Sequence, residues 1–171
     1  DLPNGSWDFS TLNATTDGQA HSECDFDGQT YHDIWYRYTA CGDGTLLVST
    51  CDAADYDTDL VLYDRECNGA MLACNDDMSG CAGYTSEVSI SVTEGDIVII
   101  RVGGWREGSQ GTGVLTIAGP EGDCGGEPCD GDLNEDGVVD VNDILEAVAG
   151  FGTLYDVNDI LTVLENYGNS C

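Results

Sequence analysis

The sequence has very few positively charged side chains. It contains no lysine and only four arginines, against 33 aspartates and glutamates, and its formal net charge is −29 at pH 7. Nucleic acids and anionic membranes would repel such a chain, so we exclude both as partners. The charge also destabilises a compact fold, and bound divalent cations would relieve the repulsion. A solvated acidic surface is the alternative explanation, and both remain open.

Long apolar runs are also missing. No stretch is long enough to span a bilayer, so we expect no insertion into a membrane. The chain begins at Asp1 rather than at methionine. This start predicts a mature secreted protein whose signal peptide has been removed.

Histidine is scarce, which limits the chemistry available. The chain has two histidines, His21 and His32, and neither lies near a pair of cysteines. Because no Cys-x-x-Cys occurs, the usual ligand spacing of zinc sites is absent. Neither histidine accompanies a nucleophile motif such as Gly-x-Ser-x-Gly, so we predict a protein without catalytic activity.

Cysteine and glycine, in contrast, are abundant. Nine cysteines in a chain with 23 glycines indicate disulfides formed in an oxidising, extracellular compartment. Because nine is odd, at least one thiol is free or pairs with another chain. Cys67 and Cys74 flank a predicted hairpin and could pair, although the sequence does not choose among the alternatives.

Residues 1–119 consist of short β-rich runs separated by turns, without a helical period. Alternation of apolar and polar residues in 87–92 predicts that one face of this run is buried, and the apolar run 97–102 is suited to a strand covered on both sides. We predict a hairpin through residues 41–44 and another through 65–70. The class is mainly β, a jelly-roll-like sandwich of about eight strands. The predicted strands lie near 7–12, 35–40, 45–50, 59–64, 71–74, 87–92, 97–102 and 113–119.

The pattern of apolar and polar residues changes after residue 119. Residues 120–129 are rich in glycine and proline and predict a linker, and residues 130–171 predict a small α module. The segments 140–152 and 156–168 each place apolar residues at helical spacing and are near copies of one another, which indicates a duplication. We therefore predict two short helices, with apolar faces formed by Ile144, Leu145, Val148 and Phe151 and by Ile160, Leu161, Leu164 and Tyr167.

One loop in this module has the spacing of an EF-hand-like calcium site. Alternate oxygen-bearing side chains, a glycine at the sixth position and an acid at the twelfth match a twelve-residue calcium loop. An Asx-rich turn that caps a helix is the alternative. The predicted ligands of Ca²⁺ are Asp132, Asn134, Asp136, the backbone carbonyl of Val138, Asp140 and Asp143.

Residues 130–168 resemble the dockerin family, whose calcium loop ends in Asp and leads into a single helix. The second copy keeps DVNDIL but lacks the D-x-N-x-D-G half. We therefore expect Asp156 and Asp159 to cap a helix rather than to bind calcium. The resemblance implies a cohesin as partner. Cys129 and Cys171 bracket this truncated dockerin-like module, and a disulfide between them would clamp its ends.

Residues 25–119 resemble the pre-peptidase C-terminal domains of secreted bacterial proteins, through DYDTDLVLYD, LACNDD and the segment from Ser89 to Gly119. The resemblance implies a non-catalytic jelly-roll sandwich, and some members bind calcium or matrix polymers. If the strands before and after 65–70 pair, Asp57, Asp59, Asp76 and Asp77 come together as a second candidate calcium site. An exposed acidic rim is the alternative.

Two functions remain open. The first is a secreted, calcium-binding structural protein that forms a homo-oligomer or filament, in which the dockerin-like module of one chain contacts the sandwich of the next. The second is a module that binds an extracellular matrix polymer or a glycan and has a dockerin-type anchor for a cohesin. Trp105, in a loop after VGG, is the aromatic residue best placed for a surface contact.

Overall fold

The computed structural model describes residues 1–21, 28–122, 131, 133–134 and 139–168. The chain divides into two compact units, Asp1–Glu121 and Gly122–Cys171. Cys129, Cys171, Asp132, Asp136 and Val138 lie outside the described residues, so the predictions for them stay predictions. No described helix combines the length and apolar character that crossing a bilayer requires.

The first unit is a sandwich of two four-stranded antiparallel sheets, as the sequence predicts. One sheet has the order β1-β8-β3-β6 and the other β2-β7-β4-β5. The strands are β1 (Gly5–Ser10), β2 (Tyr31–Thr39), β3 (Gly44–Ser49), β4 (Thr58–Asp64), β5 (Met71–Asn75), β6 (Glu87–Val92), β7 (Ile97–Gly104) and β8 (Thr112–Ala118).

The core lies between the two sheets, because each strand directs every second side chain inward. Leu60 and Leu62 of β4 and Ile100 and Val102 of β7 are fully buried there. The outer face of the β2-β7-β4-β5 sheet is covered as well, and a smaller cluster there includes Val61, Tyr63 and Ile99. Strand β7 is therefore buried on both faces, as its apolar run predicts.

One predicted hairpin is correct and one is wrong. Strands β4 and β5 pair through the turn 65–70. Strands β2 and β3, however, lie in different sheets, and residues 40–43 connect one layer to the other. A short glycine-containing turn fits a hairpin and a crossing between layers equally well, and only the packing of the apolar faces distinguishes them.

The predicted pairing of Cys67 with Cys74 is wrong. Cys67 is a free, exposed thiol, and Cys74 forms a disulfide with another residue. Cys67 lies within the turn, whereas Cys74 lies opposite Val61 in the strand ladder. Two residues that flank a turn approach one another only if they are cross-strand neighbours, and these two are not.

A disulfide that the sequence analysis did not identify joins Cys51 and Cys81. It connects the β3–β4 loop to the β5–β6 loop across 30 residues of sequence. We expect the double variant Cys51→Ser/Cys81→Ser to lose about 3 kcal/mol of unfolding free energy, because the unfolded chain regains the entropy of an open loop. Urea unfolding of both proteins would check this, and equal transition midpoints would contradict it.

The second unit contains helices α1 (Val141–Ala149) and α2 (Val157–Asn166). Each begins with a capping box, in which Asp140 and Asp143 cap α1 and Asp156 and Asp159 cap α2. The capping role predicted for Asp156 and Asp159 is thus confirmed. Within the described part of this unit the fully buried apolar side chains are Val139, Ala147 and Val163.

Most of the predicted apolar helix faces are not buried. Ile144 and Ile160 are partly buried, whereas six side chains at corresponding repeat positions are about half exposed, with relative accessibilities of 50–60%. They are Leu145, Val148 and Phe151 in the first copy and Leu161, Leu164 and Tyr167 in the second.

Candidate binding cleft and acidic cluster

The long loops of the sandwich gather at one end. The register places Tyr31, the first residue of β2, and Thr58, the first residue of β4, opposite Gly104 at the end of β7. The described parts of the β1–β2 connection, residues 11–21 and 28–30, therefore share this end with loops 50–57, 76–86 and 105–111, and the short turns 40–43, 65–70 and 93–96 share the other. Binding residues concentrate on loops that a rigid scaffold positions, so a binding site is expected at the long-loop end.

A cleft of about 660 Å³ opens at this end. The β3–β4 loop, the β5–β6 loop and the β7–β8 loop form its walls. Its lining combines aromatic rings with charged and amide side chains, namely Tyr56, Asp57, Tyr84, Trp105, Arg106, Glu107, Gly108, Ser109 and Gln110.

The β7–β8 loop is folded tightly, which fixes the position of Trp105 and Arg106. Ser109 donates its backbone N–H to the Arg106 carbonyl at 2.9 Å and its hydroxyl to the Asp57 carbonyl at 2.9 Å. Gly108 has a φ of 90°, a left-handed conformation that glycine adopts without steric cost. One hydrogen bond therefore closes the loop on itself and the other attaches it to the β3–β4 segment.

Trp105 and Tyr84 both expose ring surface at the cleft. Trp105 is partly exposed and Tyr84 is 67% exposed. The Arg106 guanidinium carbon lies 4.5 Å from the centroid of a Trp105 ring, within the range of a cation–π interaction. Sequence reasoning identified Trp105 from its loop position, but it missed Tyr84 and Arg106, because a single aromatic or arginine in a turn carries no distinctive pattern.

Three aspartates meet beside the cleft. One carboxylate oxygen from each of Asp57, Asp76 and Asp77 lies within 4.8 Å of the others. Oxygen Oδ1 of Asp57 is buried and accepts no hydrogen bond from the described residues. Three oxygen donors at this spacing suit a hard divalent cation, so the donor set fits calcium.

The fourth predicted member, Asp59, does not join this cluster. Its Oδ2 accepts a hydrogen bond from the Thr30 hydroxyl at 2.5 Å and lies 3.9 Å from His21 Nε2. Asp59 is within β4 and points to the outer face of the sheet, whereas Asp57 precedes the strand. Side chains two residues apart share a face only within a strand. Because Asp57 lies outside β4, its carboxylate does not lie on the same face as that of Asp59.

The Asp57 carboxyl group has a perturbed acidity. Burial raises its pKa, the negative charges of Asp76 and Asp77 raise it further, and Arg106 lowers it, so that the pKa is about 7. A carboxyl of this kind resists ionisation while its charge is uncompensated. A bound cation would supply that compensation.

This shift predicts a pH dependence in metal-free protein. The folded-state pKa is above the unfolded value of about 4, so the stabilisation from protonated Asp57 is full below pH 4 and is lost as the pH rises through about 7. We expect unfolding free energy to fall more between pH 5 and pH 8 in the native chain than in Asp57→Asn. Urea titrations in chelator measure both, and parallel curves would contradict the assignment.

In the second unit, only part of the predicted calcium loop is described. Asp143 is fully buried, and its carboxylate accepts hydrogen bonds from the backbone N–H groups of Leu133, Asn134 and Asp140 at 2.7–3.2 Å. Burial raises the pKa of Asp143, but these hydrogen bonds outweigh it and the pKa is lowered. Asp140 accepts from Asn142 as the helix cap. The contacts among Asp140, Asn142 and Asp143 are those of a helix cap, and the ligand roles stay predictions.

The family model described as "Galactose binding domain-like", a T9SS-associated family, matches residues 4–110. The chain belongs to this family. The galactose-binding-like match contains the β3–β4 and β5–β6 loops and nearly all of the β7–β8 loop, and hence the whole acidic cluster. None of the curated proteins matches the sequence significantly.

Three solved structures are similar to part of this galactose-binding-like chain. A pre-peptidase C-terminal domain of a Bacillus anthracis collagenase has 14% identity and a TM-score of 0.46, over 68% of this chain and 91% of that one. A β-1,3-glucan-binding CBM6 from Bacillus halodurans has 12% identity and a TM-score of 0.37, over 68% and 98%. A xylanase CBM36-1 domain from the hindgut metagenome of Trinervitermes trinervoides has 16% identity and a TM-score of 0.32, over 68% and 99%.

Proposed function

We propose that the sandwich is a secreted, non-catalytic carbohydrate-binding module whose cleft holds a sugar against Trp105. The observation that carries the proposal is a partly exposed indole in a cleft that also contains a carboxylate and amide groups. Sugar-binding sites combine a few polar groups with an apolar or aromatic wall, because a pyranose has an apolar face of C–H groups and a rim of hydroxyls. The family name agrees with this chemistry.

Calcium at Asp57, Asp76 and Asp77 forms part of the proposal. The three carboxylates belong to two different loops, and the Cys51–Cys81 disulfide already connects those loops. A divalent cation would neutralise two of the three charges and hold the loops in one arrangement. It would also leave open coordination positions, because calcium takes six to eight oxygen ligands, and sugar hydroxyls could fill them.

The decisive test is the removal of the indole. We expect Trp105→Ala to weaken binding to galactose-containing oligosaccharides by about five- to thirtyfold, because loss of a stacking ring costs about 1–2 kcal/mol. Trp105→Phe, which keeps a ring, should retain most of the affinity. Isothermal titration with both variants, after circular dichroism has confirmed their folding, would measure this. Equal affinities of native protein and Trp105→Ala would refute the proposal.

An extracellular, bacterial location is part of the same proposal. The T9SS-associated family supports it, and so does the Cys51–Cys81 disulfide, since such bonds persist in oxidising compartments.

A structural role is the second candidate, and one observation favours it. The two repeats of the C-terminal unit leave the same apolar positions exposed, such as Leu145 and Leu161 or Val148 and Leu164, and exposed apolar groups of this kind mark docking surfaces. We propose that this unit, with a calcium ion at 132–143, acts as a dockerin-like anchor, either on a neighbouring chain in a filament or on a cohesin.

Electron microscopy with calcium and then with chelator tests the filament, and pull-down with cohesins tests the anchor. Assemblies that require calcium would support the structural role. Monomers under both conditions, together with no cohesin captured, would remove it and leave carbohydrate binding untouched.

A further inference from the structure

Arg106 differs from the other arginines of this acidic chain. Within the described residues, no carboxylate oxygen lies within ion-pair distance, 4.0 Å, of its guanidinium. With about eight acidic residues for each arginine, such separation is unusual. The other three each have an acidic partner, Arg37 with Asp1, Arg65 with Asp64 and Arg101 with Asp33.

The contacts of Arg106 leave its hydrogen-bonding groups available. The side chain is exposed, and its guanidinium carbon lies over Trp105 at 4.5 Å. A cation–π contact uses the charge of the guanidinium and need not engage its N–H donors, which can bind a carboxylate or a sulfate in a bidentate manner. In the part of the chain that the structure describes, no acceptor binds these donors.

The location of Arg106 gives those donors a function. Arg106, Trp105 and Asp57 line the same cleft, so a sugar stacked on the indole would place its substituents near the guanidinium. Calcium bound at Asp57, Asp76 and Asp77 would add a second positive centre next to the first. A ligand with an anionic group could then contact both.

We propose that the cleft selects acidic saccharides, with a carboxylate or sulfate group of the sugar bound to the guanidinium of Arg106. This inference rests on the proposed carbohydrate binding and names its ligand class. The net charge of −29 opposes the approach of any polyanion. That repulsion is screened beyond about 8 Å at physiological ionic strength, so the contact with Arg106 decides the preference at close range.

The experiment uses three short oligosaccharides of equal length, in calcium and about 150 mM salt, a condition under which charge repulsion is screened. They are an oligogalacturonate, its carboxyl-reduced neutral counterpart and a sulfated galacto-oligosaccharide. We expect at least one acidic ligand to bind about tenfold or more tightly than the neutral one, as a charge-assisted hydrogen bond allows. Whichever acidic ligand binds more tightly identifies the anionic group as carboxylate or sulfate.

Arg106→Gln should remove this preference, so that the acidic and the neutral ligands bind the variant with equal affinity. Arg65→Gln is the matched control, since it removes the same charge from the turn at the opposite end of the sandwich and should keep the preference. Equal affinity for all three ligands, or a preference that survives Arg106→Gln, would overturn the inference while carbohydrate binding stands. Binding of none of the three, nor of any neutral galacto-oligosaccharide, would overturn both proposals.

Discussion

Arg101→Met is expected to destabilise the sandwich by about 3–5 kcal/mol, the usual cost of removing one partner from a buried ion pair. Arg101 and Asp33 are both inaccessible to solvent, and the guanidinium binds the carboxylate through Nε at 2.7 Å and through Nη2. Without the arginine, the Asp33 charge would remain buried with no cation opposite it. Many domains have a free energy of unfolding of only about 5–15 kcal/mol, so a loss of this size would remove a large part of the stability of the fold.

The effect should extend beyond the ion pair. Arg101 also donates to the carbonyl groups of Gln19 and Thr30, at 2.8 and 2.9 Å, and to the Gln29 side chain at 2.7 Å. These contacts hold the described parts of the β1–β2 connection against the outer face of the β2-β7-β4-β5 sheet. In Arg101→Met we expect faster hydrogen exchange in that connection as well as a lower unfolding midpoint.

Arg37→Met provides the control for this prediction. Its guanidinium is 3.0 Å from Asp1, but the two side chains are 41% and 68% exposed, and solvent-exposed ion pairs contribute about 0–1 kcal/mol. Both variants lose an ion pair, but only Arg101→Met loses a buried one. Comparing their urea unfolding midpoints therefore shows whether burial of the pair, rather than pairing itself, is the source of stability. If Arg37→Met and Arg101→Met lower the midpoint equally, the buried network is not what holds the connection.

Removal of the carboxylate at Asp57 is expected to abolish calcium stabilisation of the sandwich. A ligand that binds only the folded state stabilises it by about 2.7 kcal/mol at a concentration one hundred times its dissociation constant. Asp57→Asn leaves two carboxylates in the cluster, removes the negative charge of Asp57 and replaces one of its two oxygen donors with an amide NH2 group, which cannot bind a cation. We expect a calcium-dependent rise in the melting temperature of the native chain and a much smaller one in the variant.

The second unit requires a separate control, because its predicted loop would bind calcium independently. Asp143→Ala should remove that contribution, and the double variant with Asp57→Asn should show none. Asp8→Asn removes an equal charge from an exposed position on β1 and should behave like the native chain. Calorimetric titration gives the number of ions bound, and an unchanged number in Asp57→Asn would exclude the cluster as a site.

Carbohydrate binding should depend on the same cation. If calcium holds the β3–β4 and β5–β6 loops together, chelation should weaken binding in the native chain and have little further effect in Asp57→Asn. A direct contact between calcium and the sugar would give the same direction of change with a larger loss. Affinities measured with and without chelator for both proteins would quantify this dependence.

The strands were predictable because their periodicity is local. Alternation in β6 and the continuous apolar run in β7 specify which faces are buried, and the helix caps at Asp140 and Asp156 follow from side chains within three residues. The assignment of β2 and β3 to different sheets was not predictable. It depends on which apolar faces pack together, and the sequence of residues 40–43, which connect the two strands, does not indicate this packing.

The acidic cluster was predictable only in part. The sequence proposes four aspartates, and pairing of β4 with β5 brings three of them together. Asp59 is excluded because its side chain lies on the covered outer face and meets Thr30 instead. Arg106 could not have been selected from the sequence, since its significance is that no carboxylate of the described residues lies within ion-pair distance of its guanidinium.

By itself the sequence determined that this protein is mainly β, strongly acidic and suited to an oxidising environment, because composition and alternation act over a few residues and do not require knowledge of partners. Only the tertiary structure decided that Trp105, Arg106 and three aspartates share one end of the sandwich. Their positions are up to 49 residues apart, counting from Asp57 to Arg106, and long-range strand register, not local preference, brings such residues together.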